Sequence, residues 1–228
     1  MDVLISVDLE GVAGIDLLGE QLDERADYVI GDPRPLDMVQ EVTPQTGVVL
    51  FVGYHAGATD PAGVLAHTYS GSGFADVRLN GRAVSEAELN ALMAAAEGVP
   101  VGLVTGDDVI CAVAERAFPG VVTVPVKTAL GRTAARSRHP SAARAAITAG
   151  AARAVAAAAA GAIRPVAIPP ELVIEAELRP NGAAEMAAWV PGTVRTGPRT
   201  VRYQAASPRA AMDVLNVWSA LTSYYVSR

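Results

Sequence analysis

The chain has 228 residues, 51% of them hydrophobic and 5% aromatic, so one large domain or two small ones can bury a sizeable core packed mainly from Ala, Val, Leu and Ile. A formal net charge of -6 argues against nucleic acid or an anionic membrane surface as the main partner. The lone cysteine, Cys111, excludes an intrachain disulfide framework and fits a reducing compartment. No charged-then-apolar leader precedes the first strand, and the longest small-residue run, Ala154 to Ala160, is flanked by Arg153 and Arg164. A cytoplasmic enzyme or binding protein is the default expectation.

Val3-Leu4-Ile5-Ser6-Val7 is an apolar, partly β-branched run that reads as a buried strand. It leads into Asp8-Leu9-Glu10-Gly11. Side chains alternate along a strand, so Ser6, Asp8 and Glu10 share a face. Two unpaired carboxylates side by side repel each other and are costly to desolvate, and a cation between them relieves both problems. In open α/β sheets ligands sit beyond the carboxyl ends of the strands, where this pair lies. The pair reads either as a metal site or as a solvated strand end with two surface acids.

After the permissive turn Val12-Ala13-Gly14, a short polar helix is expected over 16–24 and a short strand over 27–31. The Asp32-Pro33-Arg34-Pro35 loop and a helical turn or two from Leu36 to Glu41 follow. Val48 to Gly53 is a second strong apolar strand, ending in Tyr54-His55-Ala56. His55 thus stands just past a buried strand, as Asp8 and Glu10 do. It is a candidate ligand or base, or else a histidine satisfied by a loop carbonyl. The Gly-, Ala-, Ser- and Thr-rich segment 57–73 carries His67. Nitrogen and oxygen donors together suit zinc or another borderline divalent cation better than calcium. Val77-Arg78-Leu79 is a short strand before the turn signal Asn80-Gly81. Ser85 and Glu88 form a capping box for a helix with Leu89, Leu92 and Met93 as its apolar stripe. Glu86, in its first turn, either complements the helix dipole or reaches a metal cleft as a ligand.

Pro100 to Gly106 is a third strand, and Asp107-Asp108 reads best as the cap of a helix from Val109 to Ala117. Val121 to Val124 is a fourth strand, and the alternation of strand and helix implies a mainly parallel sheet. Lys127, Arg132, Arg136 and Arg138 make a basic loop that neutralises the acidic cleft, binds a substrate carboxylate or lies as a solvated face. His139 reads as a loop residue, and Ser141 as the cap of a long alanine-rich helix ended by Gly161. Beyond Pro169-Pro170 come alternating strands over 173–178 and 200–205, with a short helix over 183–189 between them. Ser207-Pro208 opens a last helix that packs on the sheet or on another subunit. The expected fold is α/β: a mainly parallel sheet flanked by helices in a metal-binding domain over 1–130, with a smaller α+β subdomain over 131–228.

Several blocks together carry a family resemblance. Ser6-Val7-Asp8-Leu9-Glu10-Gly11 resembles the Ser-x-Asp-x-Glu-Gly signature of the zinc-dependent D-aminopeptidases of the dipeptide-transport-operon type. Gly53-Tyr54-His55-Ala56, Ala66-His67-Thr68 and Asn80 to Glu86 are similar to further blocks of that family, as are Val126-Lys127 with Arg132, and Pro191-Gly192-Thr193. The resemblance covers nearly the whole chain. It implies a dinuclear zinc site in which Asp8 bridges two ions, Glu10, His55 and Glu86 are further ligands, and His67 is the catalytic histidine near the scissile bond. It also implies release of N-terminal D-residues, typically D-alanine, from short peptides, by a ring-shaped homo-oligomer with a decamer as one size.

The chain departs from that family after the signature. There the family has a helix and a second strand ending in a block like Asn-Asp-Ser/Gly-His, whose histidine is another zinc ligand. Here Gly14-Ile15 runs almost directly into Asp16-Leu17-Leu18. Roughly forty residues are absent, against the about ten to twelve that one crossover needs. His139 lies in the wrong block to replace the lost histidine. A catalytically impaired metal or small-molecule binder is therefore the alternative to a peptidase. A nucleotide-linked enzyme is weaker, because Gly71-Ser72-Gly73 lacks the third glycine and no Gly-x-x-x-x-Gly-Lys-Ser/Thr loop is present.

Overall fold

Unbroken runs of Val, Leu and Phe have no polar side to show water. The run at 48–52, and the segment 101–104 in which Gly102 is the one break, become inner strands of a sheet in the computed structural model, which describes residues 1–8, 25–29, 31 and 33–227. In chain order the elements are β1 (Asp2–Val7), a 3-10 turn (Asp37–Val39), β2 (Thr46–Tyr54), β3 (Phe74–Leu79), β4 (Arg82–Ala83), α1 (Glu86–Ala96), β5 (Val101–Asp107) and α2 (Asp108–Ala117). Then come β6 (Val122–Gly131), β7 (Ala134–Ser137), α3 (Pro140–Ala159), β8 (Leu172–Leu178), α4 (Asn181–Ala187), β9 (Thr193–Arg195), β10 (Thr200–Ala205) and α5 (Pro208–Val226).

The first sheet has the order β1-β2-β5-β6-β7. Its first four strands are parallel, and β7 returns antiparallel to β6. One face is covered by α3, whose Ala143 and Ala154 pack on Val48, Leu50, Leu103, Val124 and Val126. Gly150 lets this helix approach closely, since a Cβ there would stand 2.6 Å from Val124 Cγ2. The other face joins a larger core shared with α1, α2 and a second sheet. That sheet is antiparallel, in the order β4-β3-β8-β10-β9, so residues 74–83 lie beside strands from 172–205. On it, α5 buries Met212, Leu215 and Trp218, so the aromatic-bearing helix packs within its own chain.

The α/β reading holds, but four local readings change. Among the described residues β1 is an edge strand rather than a buried one: Val3, Ile5 and Val7 are exposed, and only Ser6 is buried. Of the strand expected over 27–31, the described residues 27–29 and 31 are not in a strand and 27–29 are exposed, while Ile30 lies outside the described residues. The basic segment 127–138 is the β6–β7 hairpin, and β7 shows no buried face that would have announced it. His139, not Ser141, caps α3, its Nδ1 accepting from the Ser141 N–H. The helix expected over 16–24, and the apparent gap after Gly14, lie outside the described residues. Among the described residues no helix is long and apolar enough to cross a membrane.

Candidate metal centre

Parallel pairing puts the carboxyl ends of β1 and β2 side by side, with Val7 opposite Val52 and the Asp8 N–H donating to Val52 O at 2.8 Å. Asp8 is thereby delivered next to the end of β2. There the register between β2 and β5 shifts between Phe51 and Tyr54. Gly53 takes φ +84° and donates its N–H to Thr105 Oγ1, which gives the strand the left-handed kink of a bulge. Gly106 passes so close that a Cβ would lie 2.1 Å from Tyr54 O. The kink leaves Tyr54 buried, with its hydroxyl 2.7 Å from Ser6 Oγ, and turns His55 into the space beyond the strand ends. Burial pushes the Tyr54 phenol well above its ordinary range; the Ser6 bond opposes this, and Asp8 and Glu86 reinforce it.

Glu86 arrives from the first turn of α1. The capping box fixes that turn: Ser85 Oγ accepts from the Glu88 N–H, and the Glu88 carboxylate accepts from the Ser85 N–H. His55 Nε2 then lies 3.3 Å from Asp8 Oδ2 and 3.1 Å from Glu86 Oε2. His67 comes from the loop after β2 and stacks on His55, with ring centroids 3.9 Å apart and planes 11° from parallel. Its Nε2 is 3.9 Å from the same Glu86 oxygen. The structure thus brings together Asp8, His55, Glu86 and His67; Glu10 lies outside the described residues.

Backbone carbonyls hold both rings. His55 Nδ1 lies 3.0 Å from Ala56 O, and His67 Nδ1 lies 2.7 Å from Leu65 O. In a neutral ring each Nδ1 then carries the hydrogen, and each Nε2 presents a lone pair to the carboxylates. Ala56 O also accepts the His67 N–H, so a single carbonyl ties the two histidines to each other. Without a cation that arrangement is repulsive. Burial pulls the His55 pKa down, but Asp8 and Glu86 overcome it and push it up to about 11.

The donor set fits a divalent metal. Glu86 Oε2 is buried and makes no well-aligned hydrogen bond. The ligand atoms of His55, His67 and Glu86 lie within 4.8 Å of one another. Donors around one tetrahedral ion with bonds of about 2.0–2.2 Å stand roughly 3.3–3.6 Å apart, close to the separations of His55 from Asp8 and Glu86. Mixed imidazole and carboxylate donors suit zinc.

Three comparisons with known proteins point to one family. Residues 15–217 match the peptidase M55, D-aminopeptidase, family model. The chain belongs to the M55 D-aminopeptidase family. A D-aminopeptidase of Bacillus subtilis (strain 168) is 34% identical over 207 residues, which are 90% of this chain and 74% of that relative. The solved structure of the Zn-dependent D-aminopeptidase DppA from Bacillus subtilis, described as a self-compartmentalizing protease, superposes with a TM-score of 0.89 at 28% identity, covering 98% of both chains.

Asp107 shows what sequence reasoning missed. It caps α2 as expected, with Oδ1 accepting from the Ile110 N–H, but its Oδ2 also accepts the Val64 N–H at 2.7 Å and so holds the loop that carries His67. No local signal marks that second bond. Asp107→Ala removes a cap and orphans a buried N–H, and is expected to cost about 2–4 kcal/mol in all. Denaturant titration measures this, and Asp107→Asn, which keeps the cap alone, should recover part of it. An Asp107→Ala protein as stable as the parent would refute the clamp.

Proposed function

We propose that the chain is a zinc-dependent aminopeptidase that removes N-terminal D-residues, of the D-alanine type, from short peptides. The observation that carries this is the convergence of Asp8, His55, Glu86 and His67 at the strand ends of a chain in the M55 family. Asp8, His55 and Glu86 hold the metal, and Glu10 of the Ser-x-Asp-x-Glu-Gly signature is the further ligand that the family resemblance implies. When bound, zinc supplies a Lewis acid for the peptide carbonyl and acidifies water to a pKa of about 7. Asp8 and Glu86 compensate the charge of the cation and orient His55 Nε2. His67 serves the carbonyl oxygen or the leaving amine, moving the proton at Nε2 while Leu65 O keeps Nδ1 fixed.

Hydrolysis of D-Ala-D-Ala, with the L,L isomer as control, tests the reading together with metal analysis. Two ions per chain support the dinuclear site that the resemblance implies. One ion with no turnover, restored by inserting the absent segment after Gly14, supports the impaired binder. Taking up zinc at neutral pH should also expel about one proton from His55, because the metal displaces it from a site that holds it up to about pH 11. Calorimetry in buffers of different ionisation enthalpy measures this, and binding without proton release would contradict the pairing. In the metal-free protein the raised pKa stabilises the fold fully below about pH 6.5, and that contribution is lost as the pH rises through about 11.

The relative's self-compartmentalizing assembly supports a homo-oligomeric ring for this chain as well. Apolar surface is available for it: Trp189 is 69% exposed and Val194 59%. Light scattering at micromolar concentration should return a multimer, and a monomer would count against the ring. Cys111 is free and buried, which supports a cytoplasmic location.

A further inference from the structure

Leu65, two residues before His67, adopts φ +50° although it is not glycine, and its side chain is 40% exposed, so little burial offsets that backbone. What holds it is the tip of the β6–β7 hairpin. The Leu65 N–H donates to Arg132 O at 2.7 Å, and Arg132 Nη1 donates to Ala66 O at 2.6 Å. Two bonds in opposite directions bind one arginine to two successive residues of the loop. The left-handed turn at Leu65 is also what aims its carbonyl at His67 Nδ1. A side chain on Gly71 would stand 3.5 Å from His67 Cβ and 3.8 Å from Arg132 Nη2, so the guanidinium borders the same small space as the ring.

We propose that Arg132 is a positioning residue for His67, clamping the Leu65–Ala66 turn so that the Leu65 carbonyl fixes the orientation of the ring. Arg132 acts through the loop and not on the substrate. The proposal rests on the peptidase reading for its effect on turnover, but not for its effect on the loop. Arg132→Ala and Arg132→Lys test it by hydrogen exchange and by kinetics. In Arg132→Ala, exchange across residues 64–68 should rise by about tenfold or more while β5 keeps its protection, and Arg132→Lys should restore most of it because an ammonium still reaches Ala66 O. Turnover of D-Ala-D-Ala and of its C-terminal amide should fall alike, by about tenfold to a hundredfold in kcat, with KM and zinc content near wild type. Loss of protection in β5 as well would mean a misfolded variant, and Arg132→Lys is then compared with Arg132→Met. Unchanged exchange at 64–68 overturns the clamp. A rise in KM confined to the free-acid peptide also overturns it, by making Arg132 a receptor for the substrate carboxylate. An inactive parent chain with the exchange difference intact would sink the peptidase reading and leave the clamp standing.

Discussion

Replacing His55 with alanine is expected to empty the metal centre and to lower hydrolysis of a D-alanyl peptide by more than about a hundredfold, the upper range for losing a mere outer-shell partner of a metal. His55 Nε2 lies 3.3 Å from Asp8 Oδ2 and 3.1 Å from Glu86 Oε2, so its ring stands between the two acids. Without it the two acids lose the imidazole that faces them both. Metal content by mass spectrometry and kcat/KM in added zinc would be read together. A protein that kept its zinc and turned over normally would exclude His55 from the ligand set.

His67→Ala separates from this sharply. If His67 works on the substrate, its loss should leave zinc content at the parent level and lower kcat by about a hundredfold or more, the range for removing a positioned acid or base. Its Nε2 is 3.9 Å from Glu86 Oε2, longer than either contact of His55, and its ring stacks on His55. Zinc that fell in proportion to activity would instead make His67 a ligand. The two outcomes differ in metal content, which does not depend on choosing the right peptide.

The elements that the chain discloses by itself are those governed by neighbours in sequence. Ser85 with Glu88 announces the start of α1 because the capping box closes over three residues. The run at 48–52 reads as a strand for the same local reason. Where the partner is distant, local pattern misleads. β1 has the apolar composition of an inner strand, yet the order of the described strands puts it at the edge. The β6–β7 hairpin looks like a charged loop because β7 buries neither face.

Sequence alone determined the residue types of the site and the family they resemble: two acids spaced two apart after an apolar run, a histidine after the next strand, a glutamate in the first turn of a helix and a second histidine in a small-residue loop. Tertiary structure alone decided that Asp8, His55, Glu86 and His67 meet. That depends on the parallel register of β1 and β2, on the kink at Gly53, and on Asp107 and Arg132 reaching the His67 loop from positions more than forty residues away. Such contacts form only because the whole core closes at once, and no periodicity of 2 or 3.6 residues encodes them.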